Sequence, residues 1–343
     1  MKRYKKWITF LLAFILLTLA SIASVNYYVD SYWSFNHTNI FQDHQRGNRE
    51  RQQKSNALFF RDQKYSTLIF GSSRTAYMNQ ATWGEGVYNY AASDMQPSEY
   101  THYLDFAINE AKQPIKKVII GLDFFGSLEY ASPVSSQYES ILGVIPEPLY
   151  RYKLLLSRDV FEYSIKNIKY YFSKANAKYN RANLKVLKKN PEITYELWLQ
   201  SIQGGLTSYA RDRYSHPYDE TFKETLQKLL DTHPNIEFFV YTTPVSVEHF
   251  ELITQNGLYE NYERWLQESV AVFGEVHHFM YIHEVAKNPE KYFQDSNHGY
   301  NFTYDCMINE MLQKNSECPK TELLLKAETI TEQLKTLKKL NTQ

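Results

Sequence analysis

The chain has 343 residues, 43% hydrophobic and 22% charged, so it can bury a sizeable core and is neither wholly disordered nor a multi-span membrane protein. Its 38 Lys and Arg balance 38 Asp and Glu, which leaves no net charge to favour a nucleic-acid partner. Because Cys306 and Cys318 are the only cysteines, no CxxC zinc or iron-sulfur site can form, and we expect neither a metal nor a cofactor.

The N-terminus has the features of an export segment. Residues 1–6 carry four cations, and an uncharged apolar run of eighteen residues follows from Trp7 to Ser24. That length favours an uncleaved membrane anchor over residues 7–26, and cleavage near the small residues 21–23 is the alternative. In both cases the basic residues stay cytoplasmic. We therefore expect a single-pass protein of the cell membrane whose main body is extracytoplasmic, either periplasmic or extracellular.

Residues 27–65 are predicted to form a stalk, because the stretch 42–55 contains no aliphatic residue. Regular structure is predicted to begin after it, with strands and helices in alternation. Such alternation is typical of an α/β fold with a parallel sheet between two layers of helices. The predicted strands are residues 66–70, 86–91, 117–123, 236–242 and 275–282, and the clearest helical spacing lies at 100–111 and 247–273.

Residues 131–216 interrupt this alternation and are predicted to be a helical insertion in a domain that spans 66–316. Within the insertion, residues 166–189 contain eight Lys or Arg and no acid, interleaved with tyrosines. A surface for phospholipid head groups or an anionic glycan and a solvated helix face both fit this pattern. Residues 317–343 are predicted to form an amphipathic C-terminal helix. The spacing of the two cysteines leaves open whether they pair in an oxidising compartment.

A serine follows the first predicted strand at a position that suits a nucleophile. The chain reads Phe70-Gly71-Ser72-Ser73 there, and open parallel sheets bind ligands beyond the carboxyl ends of their strands. Glycine permits a tight turn, and the amides of the next helical turn would face the serine oxygen and stabilise an oxyanion. Such turns also bind phosphate or simply cap helices, so this motif alone does not indicate catalysis.

A second motif lies after the last predicted strand, where residues 292–300 read YFQDSNHGY. Asp295 and His298 stand three apart, so the carboxylate can accept from one imidazole nitrogen while the other faces a serine. A helix-capping Asp beside a surface His is the alternative for this motif by itself. Because both motifs fall at the same predicted sheet edge, we assign Ser73 as nucleophile, His298 as general base and Asp295 as its orienting carboxylate.

The two motifs resemble those of the SGNH/GDSL esterase and acyltransferase superfamily. Residues 70–73 stand where that family has Gly-Asp-Ser, and residues 295–298 match its late Asp-x-x-His block. The resemblance covers residues 66 to about 315, leaves the insertion unmatched and implies a three-layer, flavodoxin-like sheet. Within the superfamily the chain is most similar to membrane-anchored proteins of glycan export, namely DltD of teichoic-acid D-alanylation and the periplasmic alginate O-acetylation proteins.

The chain departs from the family pattern at the oxyanion hole. Where the family's second block supplies a glycine amide, this chain offers Ser93, whose amide would still serve. Where the third block supplies an Asn side chain, this chain has Asp123, and an ionised carboxylate would repel a developing negative charge. Either Asp123 is protonated, or it is turned away, or another group such as Arg74 donates.

The resemblance and the anchor imply an extracytoplasmic O-acyltransferase, in particular of acetyl groups, that modifies a cell-surface or exported polysaccharide through an acyl-serine. An SGNH carbohydrate esterase is the alternative within this class, and a non-catalytic membrane-tethered glycan-binding or assembly factor is the alternative of another class. The expected partners are the polysaccharide acceptor, an acyl donor, the inner membrane and a multi-span acyltransferase that brings acyl groups across it. Tyrosines of the insertion are expected to line the acceptor cleft.

Overall fold

The computed structural model describes the whole chain except residues 1, 42, 44, 48, 111, 131–134, 174–176, 181, 188, 190, 191 and 343. The chain divides into two compact units. The first comprises Met1–Gln63 and Glu139–Asn183, and the second comprises Lys64–Tyr138 and Leu184–Gln343.

The elements have the following bounds. The strands are β1 (Thr67–Gly71), β2 (Val87–Asn89), β3 (Lys117–Leu122), β4 (Ala177–Tyr179), β5 (Lys185–Leu187), β6 (Glu237–Thr242), β7 (Glu275–His278) and β8 (Leu323–Lys326). The helices are α1 (Lys2–Val29), α2 (Glu50–Phe60), α3 (Ser73–Ala76), α4 (Gln80–Trp83), α5 (Pro97–Glu110), α6 (Tyr138–Leu142), α7 (Tyr150–Leu155), α8 (Arg158–Phe172), α9 (Tyr195–Asp212), α10 (Phe222–Thr232), α11 (Val247–Gln255), α12 (Tyr259–Phe273), α13 (Glu284–Lys287), α14 (Pro289–Tyr292), α15 (Asn301–Met311) and α16 (Ile330–Leu340). Short 3-10 turns occupy Phe124–Ser127 and Ser135–Gln137.

The second unit is built on a central sheet whose strands, within the described residues, follow the order β2-β1-β3-β6-β7-β8. The first five are parallel, and β8 is antiparallel to β7. Counted along the chain, the parallel strands run 2-1-3-4-5, which is the flavodoxin-like order. The middle strands are apolar and buried, as expected for a sheet covered by helices on both faces. The predicted fold class is therefore confirmed.

The C-terminal segment differs from its prediction as one amphipathic helix over 317–343. Three consecutive leucines, Leu323–Leu325, open an antiparallel edge strand instead, and the helix α16 begins only at Ile330. An edge strand needs just one covered face, so a short leucine run next to β7 is better buried as strand than as helix. Before β8, Cys306 and Cys318 form a disulfide, which answers the question that their spacing left open.

The first unit corrects the prediction of a stalk over residues 27–65. Helix α2 lies within this segment, and its polar side chains are buried rather than solvated. The side-chain amide of Gln53 donates to the carbonyl of Ser31 at 2.8 Å, and that of Asn56 donates to the carbonyl of Tyr32 at 2.9 Å. A sequence without aliphatic residues suggested exposure, but hydrogen bonds to loop carbonyls allow these side chains to be buried.

The predicted insertion, residues 131–216, is likewise not one piece. Residues 139–183 belong to the first unit, together with the N-terminal segment, whereas the remainder from residue 184 belongs to the second. Several cations of the basic stretch, including Lys174, Arg181 and Lys188, lie outside the described residues. The interpretation of that stretch as a lipid or glycan surface therefore stays a prediction.

Helix α1 is, among the described residues, the one helix long and apolar enough to span a bilayer, and its apolar window is not buried by any other part of the chain. It is longer than the predicted 7–26 because the helix continues through Val29. A single-pass anchor and a signal sequence both fit this helix.

The turn after β1 depends on Gly71, which has φ +150°. A Cβ atom at this position would lie 2.7 Å from the Cβ of Thr75 and 2.9 Å from the carbonyl oxygen of Gly121. The first neighbour is in the helix that carries Ser73, and the second is in the adjacent strand β3. Glycine therefore allows the strand, the helix and the neighbouring strand to approach closely.

Gly71→Ala should lower the free energy of unfolding by about 2 kcal/mol or more, because the new methyl group strains the backbone and displaces helix α3. Urea denaturation followed by tryptophan fluorescence measures the change. Gly204→Ala in α9 is the matched control, since a Cβ there meets nothing within 4 Å. The control should be neutral or stabilising by up to about 1 kcal/mol. Equal unfolding midpoints for both variants would contradict the role assigned to Gly71.

Candidate active site

Ser73 is placed by the junction of β1 and α3. The strand ends at Gly71, Ser72 caps the helix by accepting from the backbone N–H of Arg74 at 3.3 Å, and Ser73 is the first helical residue. The Arg74 amide, one of those predicted to face an oxyanion, is thus already engaged with the Ser72 hydroxyl. Ser73 itself is half-buried and lines an open cleft at the carboxyl edge of the sheet.

The structure brings the three predicted residues together. The Ser73 Oγ lies 2.8 Å from the His298 Nε2, although 225 positions separate the two residues along the chain. The other ring nitrogen of His298, Nδ1, lies 2.8 Å from Oδ2 and 3.0 Å from Oδ1 of Asp295. With Nδ1 protonated and bound to the carboxylate, Nε2 is left to accept the serine proton.

Asp295 is held in its ionised form, and its side chain is 44% exposed. Burial of the carboxyl works to raise its pKa, but the attraction of His298 and hydrogen bonds from that ring and two backbone amides outweigh it. The net effect holds the pKa of Asp295 well below its usual range. The amides belong to Asn297 and His298, which donate to Oδ1 at 3.0 and 2.8 Å.

A tight loop fixes the geometry of this pair. Phe293 and Gly299 form an isolated antiparallel bridge, and the backbone N–H of Gln294 donates to the carbonyl of His298 at 2.8 Å. Trp198, fully buried in α9, donates its indole N–H to the carbonyl of Phe293 at 3.2 Å. These bonds hold the carboxylate and the imidazole on one side of the loop, so little conformational freedom remains to be lost when a substrate binds.

Asp123 is turned away from the serine and bound to Arg74. Its Oδ1 accepts from the Arg74 Nη1 at 3.1 Å and from the hydroxyl of Thr243, and both side chains of the ion pair are nearly inaccessible to solvent. Of the alternatives that the sequence left open, the structure therefore favours a carboxylate turned away. Because the guanidinium neutralises it, Asp123 presents no isolated negative charge beside Ser73.

Arg74 connects this ion pair to the loop of His298. Its Nη2 donates to the hydroxyl of Tyr209 at 2.9 Å and lies 3.4 Å from the Nε2 of His249. Burial, reinforced by the charge of Arg74, lowers the pKa of His249 well below its usual value, so this ring is neutral. Since a guanidinium can only donate, Nε2 is the acceptor and Nδ1 donates to the Ser296 hydroxyl at 3.0 Å.

The cleft has a volume of about 340 Å³. Of the three residues that were predicted to line the oxyanion or substrate site, Arg74 and Ser93 line the cleft and Asp123 does not. Sequence reasoning did not identify the remaining lining residues, apart from the general expectation that tyrosines of the insertion would contribute. These residues are Tyr77, Asp94, Phe125, Lys185, Tyr209, Arg213 and Asn297.

Tyr209 and Arg213 come from the end of α9, in the predicted insertion, and stand four positions apart. The Arg213 guanidinium lies 5.0 Å from the centre of the Tyr209 ring and donates to the Oδ1 of Asp94 at 3.1 Å. Asp94 in turn accepts from the hydroxyl of Tyr130 at 2.9 Å. In the sequence, the four-residue spacing indicates only that Tyr209 and Arg213 share one face of a helix. That spacing is too common in helices to indicate a site.

Among the described residues, no group of three or more His, Cys, Asp or Glu side chains is arranged to hold a metal ion. The groups that line the cleft are serine and tyrosine hydroxyls, an imidazole, a side-chain amide, a carboxylate, aromatic rings and cations. This set is suited to acyl transfer through a serine.

No family model matches the chain, and no curated protein matches it. Among solved structures, the chain is similar to one from Streptococcus pneumonia that was provisionally named a platelet activating factor. The two share 11% sequence identity with a TM-score of 0.38, over 77% of this chain and 89% of that one. A likeness this distant carries no argument about the site, so the family resemblance and its membrane-anchored branch stay predictions.

Replacing one partner of the buried Arg74–Asp123 pair should destabilise the protein strongly. Arg74→Met and Asp123→Leu should each cost about 3–5 kcal/mol, because each leaves a buried charge without its partner. The double variant should cost less than the sum, with a coupling energy of about 1–3 kcal/mol. Urea denaturation of the four proteins measures this cycle, and strictly additive effects would show that the pair is not coupled.

Proposed function

We propose that this protein is an extracytoplasmic SGNH-type serine O-acyltransferase that transfers an acyl group, in particular acetyl, to a cell-surface or exported polysaccharide. The observation that supports it best is the chain of hydrogen bonds from the Ser73 hydroxyl through His298 to Asp295. A serine activated by an oriented imidazole is a nucleophile for ester and thioester carbonyls.

In the proposed reaction, the Ser73 Oγ attacks the carbonyl carbon of the acyl donor while His298 Nε2 takes the hydroxyl proton. The tetrahedral intermediate then collapses, the donor's leaving group departs with that proton, and an acyl-serine ester remains. A sugar hydroxyl then gives its proton to His298 and attacks the carbonyl carbon of the acyl-serine ester. The second tetrahedral intermediate collapses to the acylated sugar, and His298 returns the proton to the Ser73 oxygen. Asp295 keeps the imidazole in the tautomer and orientation that both steps need.

We assign the oxyanion to groups that line the cleft beside Ser73. Ser93 is the residue that the family pattern places there, and Asn297 lines the same cleft with a side-chain amide whose N–H groups are donors of the kind an oxyanion requires. Asp123 takes no part, because its carboxylate is bound by Arg74 and Thr243. In this proposal the side-chain amide of Asn297 takes the place of the Asn that the family's third block supplies, where this chain has Asp123.

The acceptor is assigned to the aromatic part of the cleft. Tyr77, Phe125 and Tyr209 line the same cleft as Ser73, and aromatic side chains are of the kind on which sugars pack. Transfer requires that a sugar hydroxyl be held better than water. The openness of the cleft admits water as well, and this favours a carbohydrate esterase as the second candidate. A non-catalytic module is less well supported, because it would not need an oriented imidazole on the serine.

Helix α1 is assigned as an uncleaved anchor with its cationic end in the cytoplasm. The second unit would then meet its acceptor outside the membrane. Acyl donors are made in the cytoplasm, so a multi-span membrane acyltransferase is proposed as the partner that supplies the acyl group.

Ser73→Ala should abolish labelling by a fluorophosphonate probe and reduce hydrolysis or transfer of an aryl acetate to background, because no hydroxyl remains to form the acyl-enzyme. Ser72→Ala is the matched control: it removes a helix cap at a cost of about 1 kcal/mol but leaves the nucleophile in place. In-gel fluorescence and product release measure both variants.

Product analysis separates the candidate functions. With an aryl acetate as donor and chemically deacylated polysaccharide from the host's own envelope as acceptor, mass spectrometry should find acetylated sugar that depends on Ser73. Acetate alone would assign an esterase. Labelling and turnover that persist in Ser73→Ala would refute the acyl-serine mechanism altogether.

Asp295→Asn should lower kcat by roughly a hundredfold or more with little change in KM, since the amide favours the wrong imidazole tautomer. The low pKa of Asp295 means that the carboxylate stays ionised throughout the neutral range and is protonated only in strong acid. The loss of rate should therefore be present at every pH between about 6 and 9. A variant that matches the wild-type rate at the acid end of this range would show that Asp295 is already protonated there. The pH profile of aryl acetate turnover is the measurement.

A further inference from the structure

The first unit exposes apolar side chains around the C-terminal end of α1. Leu156, just after α7, is 55% exposed, Tyr152 within α7 is 49% exposed, and Tyr27 in α1 is 46% exposed. Helices α7 and α8 both pack against α1. These exposed side chains therefore belong to the same unit as the apolar helix.

The position of Asn26 along α1 shows how far this surface lies from the apolar run. The apolar run Trp7–Ser24 has a length of about 27 Å as a helix, which is close to the thickness of a bilayer's hydrocarbon core. Asn26, two residues beyond the run, is buried and donates its side-chain amide to the carbonyls of Leu155 at 2.9 Å and Ser157 at 3.3 Å. When α1 spans a membrane, the backbone on both sides of Leu156 thus lies at the membrane boundary.

Tyr27 and Tyr152 both contact the ring of Phe35, so they lie at a similar depth relative to α1. The Phe35 ring lies 4.9 Å from the ring of Tyr27 and 6.4 Å from that of Tyr152. The Arg151 guanidinium lies 5.0 Å from the centre of the Tyr152 ring and donates to its hydroxyl at 3.0 Å. Tyrosines with a cation beside them are typical of the interface between lipid tails and head groups.

We propose that Tyr27, Tyr152 and Leu156 form a membrane-facing collar that lies in the head-group region of the bilayer that α1 crosses. The occupant is lipid because the collar continues the exposed apolar surface of α1 and is joined to it through Asn26. The charged side chains around α7 are of both signs, as in the pair of Lys153 and Glu147, so insertion depends on apolar area rather than on anionic lipid. The first unit is thereby held against the membrane by two contacts, the helix and the collar.

The collar can be tested with full-length protein in phosphatidylcholine vesicles. Leu156→Cys and Leu197→Cys are each labelled with a nitrobenzoxadiazole maleimide, and wild type is the unlabelled blank, because its cysteines are joined in a disulfide. Leu197 in α9 is the matched control, since it is a leucine with the same 55% exposure and belongs to the second unit, in whose described residues no helix is long and apolar enough to span a bilayer. Both positions are exposed, so the substitutions do not disturb packing.

The label at position 156 should be quenched by phospholipid carrying a shallow doxyl group, and its quenching by iodide should be about threefold weaker than at position 197. Equal quenching at the two positions, by lipid or by iodide, would overturn the collar. Protection of position 156 from iodide without quenching by doxyl lipid would also overturn it, because a protein surface would then be the cover. The collar rests on the proposed assignment of α1 as an uncleaved anchor, but none of these outcomes depends on catalysis, so the collar and the proposed acyl transfer fail separately.

Discussion

The hydrogen bond between Ser73 and His298 is the interaction on which the candidate site depends. It joins the first and last parts of the second unit, and it exists because parallel strands end at one edge of the sheet. Residues that follow different strands meet there, whatever their distance along the chain. Each partner is held by its own local device: a close-packed glycine turn holds the serine, and a bridged loop holds the imidazole. The bond is therefore prearranged rather than assembled by a ligand.

Beneath this bond lies a layer of buried polar groups centred on Arg74. Arg74, the residue after Ser73, extends its guanidinium into the protein interior, where it contacts Asp123, Tyr209 and His249. A buried charge is tolerated only when it is paired and hydrogen-bonded, so these partners constrain one another's positions. Through His249 the network reaches the loop that carries His298. The Asp123 carboxylate, which the sequence suggested would repel an oxyanion, is in this arrangement the ion-pair partner of the cation next to Ser73.

In the first unit, too, polar side chains are buried because they are hydrogen-bonded. Its helix α2 buries amide side chains against the carbonyls of a loop, where an apolar core would usually be expected. The helix that precedes this loop is the apolar α1, whose last turn is fastened to α7 and α8 through Asn26. An apolar helix that ends inside a folded body cannot tilt independently of it. This rigid attachment supports the proposed interfacial collar and leaves no need for a flexible stalk.

The sequence by itself determined the alternation of strands and helices, the apolar N-terminal helix, and the serine and Asp-x-x-His motifs at the correct ends of their strands. These features depend on local pattern, namely burial on two faces, helical spacing and a glycine at a turn. Only the tertiary structure decided that Asp123 pairs with Arg74 and that Tyr209 and Arg213 complete the cleft. Those contacts join residues far apart in the chain, and no periodicity encodes which buried polar groups will meet. For the same reason the polar helix α2 looked like an exposed stalk, because a side chain's hydrogen-bond partner, rather than its own polarity, decides whether it can be buried.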